Sequence, residues 1–276
     1  MTYFPSQFDA TQPIALLAGK GLYPYLAWKE MCKRCPHAFV ISFEPNEWLE
    51  KVVSPESHYS VSIGQVGSWL KILKQKRTRY VMLAGQVTPK KLFHGLNPDL
   101  KAVFLLAKLK ERNATTIFSA LIHEIEKLGI VILDARCFMD PHIVSLGDLT
   151  HENKRKIDRD ELIWGINTCR TIADLNIGQS LIVSRGTVII AEAFDGTDAM
   201  IERAGTICSR PMGLIKLAKK TQDFRYDVPV FGMHTLQEMH KSGVVWAALE
   251  SERSIILDKP QVITEADRLK IRILGF

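Results

Sequence analysis

The first half of the chain alternates wholly apolar runs with segments of helical periodicity. The apolar runs predict strands at residues 14–18, 39–43, 80–84 and 130–133. The amphipathic segments predict helices at residues 22–33, 65–76 and 115–128. Strands that are apolar along their whole length are typical of a parallel sheet covered by helices on both faces. The first half is therefore predicted to form an α/β domain with a Rossmann-like parallel sheet.

The second half follows a different pattern. A helix is predicted at residues 157–176 and a hairpin at 180–193. Shorter β-like segments and a helix at 234–241 follow, which is α+β in character. Because 276 residues exceed the usual size of one hydrophobic core, two domains are expected. We place a Rossmann-like domain at 12–138 and an α+β catalytic domain at 140–276, with a ligand cleft between them.

Glycines follow two of the predicted strands. Gly19 and Gly21 end the first strand, and Gly85 ends the strand at 80–84. Ligands of parallel sheets bind beyond the carboxyl ends of the strands. The first pair has only the opening of a dinucleotide fingerprint, since Pro24-Tyr25 stands where a third glycine belongs. A tight turn is the simpler interpretation, and a nucleotide-sugar oxidoreductase is a distant alternative.

A charged loop lies between the β-like segments 211–218 and 228–232. It contains Lys219, Gln222, Asp223, Arg225 and Asp227. Carboxylates bind divalent cations, and Lys and Arg bind phosphate oxygens. The loop therefore suits an anionic ligand held with a metal ion, and the alternative is a solvated turn with surface ion pairs.

A second acidic loop follows the predicted hairpin, at residues 195–203. Gly196 permits a sharp bend, and Thr197 or Asp198 is expected to cap a helix that begins near Ala199. The first turn of such a helix also offers N–H groups to an anion. If the two loops share a cleft, they favour metal-assisted hydrolysis of a phosphoanhydride. The alternative is that Asp198 acts only as a cap.

Composition narrows the class of protein further. Thirty-six Lys and Arg against 30 Asp and Glu give a formal charge of +6, which favours anionic partners. Apart from residues 71–79 and 101–112 the basic residues are dispersed, and no basic stripe with interleaved aromatics is present, so no nucleic-acid partner is expected. No run approaches the roughly 18 apolar residues of a membrane span, and no export signal is recognised. A cytoplasmic protein with reduced thiols is expected, in which the Cys32–Cys35 pair is incidental.

Several segments together resemble a known family. They are residues 174–180, 195–203, 216–229 and 231–235 in the second half, and 17–24, 84–87 and 97–99 in the first. In this order they resemble the LpxI-type UDP-2,3-diacylglucosamine pyrophosphatases, also known as the DUF1009 family. The resemblance covers nearly all of the chain beyond Pro13.

The resemblance implies an activity. Family members hydrolyse UDP-2,3-diacylglucosamine to UMP and 2,3-diacylglucosamine 1-phosphate (lipid X), a step of lipid A biosynthesis. The lipid nucleotide binds between the two domains, and water attacks the β-phosphorus with a divalent cation, Mg²⁺ or Mn²⁺. The resemblance also implies transient contact with the inner-membrane surface and is compatible with a homodimer.

The resemblance also assigns site residues. The candidates for catalysis and metal binding are Asp223, Asp198 and Asp227. The candidates for substrate binding are Gly19, Gly21, Gln179, Thr197, Arg203, Lys216, Lys219, Gln222 and Arg225.

The chain departs from the family pattern at several positions. Asp195 replaces a usual Glu and Lys220 a usual Pro, and residues 87–91 replace a basic-Arg-Pro stretch. Residues 113–116 read Asn-Ala-Thr-Thr where the family often has acids. A homologue that binds the lipid nucleotide without hydrolysing it, or with altered specificity, therefore stays an alternative.

Overall fold

The structure is a computed structural model that describes residues 3–86, 98–109, 114–152 and 155–276. The family departures at residues 87–91 and at Asn113 lie outside the described residues. The chain forms two compact units. The first comprises Met1–Met139 with Phe224–Tyr226, and the second comprises Asp140–Asp223 with Asp227–Phe276.

The first unit contains a five-stranded, all-parallel sheet with the strand order β3-β2-β1-β4-β5. Its strands are β1 (Ile14–Ala18), β2 (Ala38–Ser42), β3 (His58–Ser60), β4 (Tyr80–Ala84) and β5 (Val131–Ile132). Its helices are α1 (Leu22–Arg34), α2 (Glu47–Glu50), α3 (Val66–Gln75), α4 (Leu100–Ala107) and α5 (Ala114–Glu126). Every residue of the central strand β1 is buried, which confirms the predicted parallel sheet.

The turn from β1 into α1 is held tightly. Gly19 has no room for a side chain, because a Cβ would lie 2.4 Å from the Gln86 carbonyl oxygen. Gly21 has φ +92°, which L side chains rarely adopt, and it precedes the first residue of α1. The Asn46 side-chain amide donates hydrogen bonds to the carbonyl oxygens of Gly19 and Gly21, each at 3.1 Å. These contacts fix the turn that the sequence predicts.

The second unit contains a six-stranded mixed sheet and a separate parallel pair of short strands. The large sheet has the order β6-β13-β11-β9-β7-β8. Its strands are β6 (Gly147–Asp148), β7 (Ser180–Ser184), β8 (Thr187–Ala191), β9 (Met212–Lys216), β11 (Val244–Leu249) and β13 (Arg272–Gly275). The small pair is β10 (Val230–Phe231) and β12 (Ile255–Ile256). Strands β9, β11 and β13 are parallel, whereas β6, β7 and β8 run antiparallel to their neighbours.

Helices cover both faces of this sheet. They are α6 (Arg159–Asp174), α7 (Thr197–Ile207), α8 (Met233–Lys241) and α9 (Lys259–Arg268). One face packs against α7, α8 and α9 through residues such as Ile201 and Leu236. The other face packs against α6, where Cys169 and Trp246 are buried. Among the described residues no helix is long and apolar enough to cross a membrane.

The second unit confirms the predicted α+β class but differs in detail. The predicted hairpin is present as β7 and β8. The parallel arrangement of β9, β11 and β13 and the helix α9 were not predicted. Helix α9 starts after Asp258, which has a left-handed conformation (φ 52°) and makes no capping side-chain hydrogen bond. Its start therefore lacks the usual sequence signal of an N-cap.

Candidate functional site

Strand β9 ends where strand β7 begins. Because the two strands are antiparallel, Ser180 at the start of β7 lies opposite Lys216 at the end of β9. The Lys216 side chain is nearly buried (7% of the residue is exposed). Its ammonium donates hydrogen bonds to Thr197 Oγ1 at 2.7 Å and to Ser180 Oγ at 3.4 Å. A lysine charge is therefore held inside the second unit by two hydroxyl groups.

Glu192 lies on the far side of these hydroxyls. Its Oε1 accepts a hydrogen bond from the Thr197 hydroxyl at 2.7 Å, and its Oε2 accepts one from the Gln179 N–H at 3.2 Å. Burial favours a raised pKa for Glu192, but the Lys216 charge and the hydrogen bonds hold the pKa below its ordinary value. The carboxylate is therefore stabilised in its charged form.

The loop after β9 is folded back on itself by Gln222. The Gln222 Oε1 accepts from the Lys219 N–H at 3.0 Å, and its Nε2 donates to the Asp227 carbonyl oxygen at 2.9 Å. The Asp227 N–H also donates to the Asp223 carbonyl oxygen at 3.0 Å. These bonds bring the two ends of the charged loop close to one another.

Lys216, Thr197, Ser180 and Glu192 form a cluster, which we call the Lys216 cluster. Asp227 interacts electrostatically with Lys216 and Glu192 of this cluster. Burial raises the pKa of its carboxyl group above the ordinary value. The charge of Lys219, a Gln222 hydrogen bond and the charge of Lys216 oppose this rise, whereas the Glu192 charge adds to it. Two carboxylates and two ammonium groups from separate segments thus act on one another inside the second unit.

The structure gathers six of the residues that the sequence singles out. They are Gln179, Thr197, Lys216, Lys219, Gln222 and Asp227. Their roles as site residues stay predictions. Asp223 is half-buried beside them in the same loop.

Asp198 points toward a different element. Its Oδ1 accepts a hydrogen bond from the Thr235 hydroxyl at 2.9 Å, and its Oδ2 lies 3.1 Å from His234 Nδ1. The proposed cap is wrong, because α7 begins at Thr197 after Gly196 and no side chain caps it. The Thr197 hydroxyl is already engaged with Lys216 and Glu192. Asp198 therefore lies in the first turn and links α7 to α8.

Four further predicted residues make none of these contacts. Arg203 is exposed and pairs with Asp195. Gly19, Gly21 and Arg225 belong to the first unit. There the Arg225 guanidinium pairs with Glu126 at 2.8 Å.

Two residues of the cluster escape motif-based prediction, Glu192 and Ser180. Ser180 closes one of the segments that carry the family resemblance, but a serine at the start of an apolar strand is unremarkable in itself. Glu192 follows the apolar strand β8 directly, and its N–H donates to the Ser180 carbonyl at 3.0 Å. One sequence signal could have identified both residues. An acid directly follows the second strand of a predicted hairpin, and a serine begins the first strand.

The donor atoms bear on the predicted cation. Among the described residues, no three His, Cys, Asp or Glu side chains come together to hold a metal ion. Mg²⁺ is usually held by one or two carboxylates together with phosphate oxygens and waters. Asp223 and Asp227 belong to one loop, in which the Asp227 N–H donates to the Asp223 carbonyl oxygen at 3.0 Å. Two carboxylates match the number that Mg²⁺ usually takes, so the cation stays a prediction.

Comparisons with known proteins agree with this two-unit organisation. A family model described as the LpxI N-terminal domain matches residues 13–142. A model described as the LpxI C-terminal domain matches residues 145–274. The UDP-2,3-diacylglucosamine pyrophosphatase LpxI of Caulobacter vibrioides is 26% identical over 273 residues, which cover 95% of this chain and 96% of that protein.

Proposed function

The chain belongs to the LpxI family, and from that premise we propose that it hydrolyses UDP-2,3-diacylglucosamine. The products are UMP and 2,3-diacylglucosamine 1-phosphate, an intermediate of lipid A biosynthesis. A water oxygen forms a bond to the β-phosphorus while the bond from that phosphorus to the bridging oxygen breaks. The bridging oxygen leaves on the α-phosphate of UMP. The relative from Caulobacter vibrioides, which bears the name of this activity, supports the proposal.

The observation that carries the proposal is the buried charge cluster around Lys216. A diphosphate substrate gains negative charge on the leaving phosphate as the bridging bond breaks. Lys216 and Lys219 supply positive charge for it, in surroundings that partly exclude water. Such preorganised donors typically contribute about 10²- to 10³-fold in rate each.

Asp227 is the best-placed group to accept a proton from the attacking water. A general base works best when its pKa is moved toward the operating pH, and burial raises the pKa of Asp227. Gln222 anchors the loop on both sides of this residue through Lys219 and the Asp227 carbonyl. The loop can therefore present the carboxylate in one orientation.

A divalent cation, Mg²⁺ or Mn²⁺, is part of the proposal. Asp223 would hold it together with phosphate oxygens of the substrate while Asp227 acts as the base, and it would supply Lewis-acid stabilisation of the phosphate oxygens. Asp198 enters this set only if its contacts with His234 and Thr235 are released.

The decisive experiment measures UMP release from UDP-2,3-diacylglucosamine by the purified protein with Mg²⁺ or Mn²⁺. We expect turnover by the wild type and a loss of about 100-fold or more in Asp227→Asn. Asp160→Asn, an exposed acid in the first turn of α6, is the matched control and is expected to retain full activity. A wild-type protein that leaves the substrate intact with both cations contradicts the proposal.

The same experiment separates the non-catalytic alternative. Tight binding of the acylated nucleotide without turnover, detected by native mass spectrometry, would favour a binding homologue of the family. Because the proposed substrate carries two acyl chains, we also propose transient contact with the cytoplasmic surface of the inner membrane. Co-sedimentation with vesicles tests that contact, and a homodimer is tested by light scattering.

A further inference from the structure

Lys216 and Glu192 meet through the Thr197 hydroxyl instead of pairing directly, and the Ser180 hydroxyl lies beside it. Lys216 Nζ donates to Thr197 Oγ1 at 2.7 Å, and the same hydroxyl donates its proton to Glu192 Oε1 at 2.7 Å. Ser180 Oγ is a second acceptor for the ammonium, 3.4 Å from Lys216 Nζ and 3.4 Å from Thr197 Oγ1. The hydrogen bonds thus run in one direction, from ammonium to hydroxyl to carboxylate.

This direction is set by the carboxylate. A hydroxyl has one proton to donate and lone pairs to accept with. Because Glu192 is an acceptor only, it draws the Thr197 proton and leaves the Thr197 lone pairs turned toward Lys216. Without that carboxylate the hydroxyl is free to rotate, and the ammonium loses a fixed partner.

Glu192 is itself held rigidly. It is 9% exposed, and the backbone N–H of Gln179 donates to its Oε2 at 3.2 Å. Gly178 packs so closely that a Cβ there would lie 2.2 Å from the Glu192 carbonyl oxygen. The carboxylate therefore occupies one position relative to the start of β7.

The arrangement leaves binding capacity on Lys216. An ammonium has three N–H donors, so one beyond the two hydroxyls can be directed to a phosphate oxygen. A carboxylate in direct contact would compete with the phosphate for the ammonium. The hydroxyl spacers keep the compensating charge close without that competition.

We propose that Glu192 is a positioning residue that fixes and charge-compensates Lys216 through Thr197, with Ser180 as a second acceptor for the ammonium, so that Lys216 binds the diphosphate. The inference deepens the proposed function and rests on it for the identity of the ligand. It assigns roles to two residues, Glu192 and Ser180, that the family resemblance leaves without one.

A double-mutant cycle tests the proposal. Glu192→Gln keeps the shape of the side chain and removes its charge. We expect kcat/KM for UDP-2,3-diacylglucosamine to fall about tenfold or more in Glu192→Gln, and to change less than about twofold when the same substitution is made in Lys216→Met. Equal losses in both backgrounds would show that Glu192 acts on the fold and would overturn the proposal.

Matched substitutions guard against a folding defect. Thr197→Val removes the bridging hydroxyl, whereas Thr197→Ser keeps it and should retain most of the activity. Ser180→Ala removes the second acceptor of the Lys216 ammonium, at one end of β7. Ser184→Ala removes an equally buried hydroxyl at the other end, which donates to the Pro211 carbonyl at 2.9 Å. A loss of activity in Ser184→Ala as large as that in Ser180→Ala contradicts the proposal.

Binding of inorganic pyrophosphate, measured by calorimetry, separates this inference from the proposed function. The pyrophosphate affinity should fall about tenfold in Glu192→Gln but not in the Lys216→Met background. Coupling in pyrophosphate binding without hydrolysis of the lipid nucleotide would retain the positioning role and reject the activity. Hydrolysis of the lipid nucleotide without coupling in pyrophosphate binding would retain the activity and reject the positioning role. A wild type that neither binds pyrophosphate nor hydrolyses the substrate would reject both the activity and the positioning role.

Discussion

The indole ring of Trp246 lies directly over Gly213 on the neighbouring strand. The two residues are register partners between β11 and β9, and a Cβ on Gly213 would stand 1.9 Å from the indole Cε2. Trp246 is nearly buried in the layer between the sheet and α6. The lack of a side chain at Gly213 thus makes room for the indole. Gly213 lies three residues before Lys216, the last residue of the same strand.

Gly213→Ala is expected to destabilise the protein strongly. The new methyl group cannot coexist with the indole, so either the ring or the strand must move, and overpacking of this kind costs about 1–3 kcal/mol. Urea unfolding measures the loss. Trp246→Leu in the Gly213→Ala background should recover part of it, because the smaller side chain makes room, whereas additive losses would contradict the steric account.

Asp227→Asn should be less active and yet more stable than the wild type at pH 7. The folded state raises the pKa of Asp227 above its unfolded value of about 3.8, so ionising this carboxyl weakens folding. The penalty is present at neutral pH and disappears as the pH falls below the unfolded pKa, where the carboxyl is protonated in both states. Urea unfolding at several pH values should therefore show a gain for the variant near pH 7 that vanishes toward pH 3. A variant less stable than the wild type at pH 7 would show that the Lys219 and Lys216 charges outweigh burial.

Tyr23→Phe should destabilise the first unit by about 1–2 kcal/mol. The Tyr23 hydroxyl is buried and donates to the Ala135 carbonyl, so its removal leaves that oxygen without this donor. Burial also raises the pKa of Tyr23, so the phenol stays protonated throughout the working range. Tyr25→Phe on the same helix is the control, because its ring contacts the Trp48 ring at a tilt of 44° and needs no hydroxyl to do so. Thermal unfolding that is equally affected by the two variants would contradict the prediction.

Hydrolysis in ¹⁸O-labelled water should place the label in 2,3-diacylglucosamine 1-phosphate. The attacking oxygen stays on the phosphorus that it attacks, and the proposal directs it to the β-phosphorus. Mass spectrometry of both products distinguishes the outcomes. Label in UMP would mean attack on the α-phosphorus. The leaving group would then be 2,3-diacylglucosamine 1-phosphate, and Lys216 and Lys219 would have to stabilise the charge on its phosphate.

The sequence predicts four of the five strands of the first sheet because their signals are local, and it misses the three-residue edge strand β3. Apolar runs such as 14–18 and the glycines that follow them report burial and chain reversal within a few residues. The parallel core of the second unit is harder to predict, since β9 and β11 pair across an insertion that contains β10 and α8. Local periodicity carries no information about such pairings.

The candidate site shows the same division. The polar segments 195–203 and 216–227 are recognisable in the sequence, and they contain Thr197, Lys216 and Asp227. Ser180 joins them because β7 runs antiparallel to β9, so that the start of one strand meets the end of the other. Glu192 joins them because it follows β8, which pairs antiparallel with β7. The contacts of the Asp198 side chain likewise depend on α8. This helix places His234 and Thr235 beside Asp198, although Thr235 is 37 residues away in sequence.

The cysteine distribution gives the protein one natural handle. None of the five thiols forms a disulfide, and Cys32 on α1 is exposed, whereas Cys35, Cys137, Cys169 and Cys208 are buried. Burial raises the pKa of Cys35 to about 11 and that of Cys169 to about 12, which suppresses their reactive thiolates. A maleimide dye will therefore label the native protein at Cys32 alone. Labelling of any further cysteine will report that the hydrophobic core around it has opened.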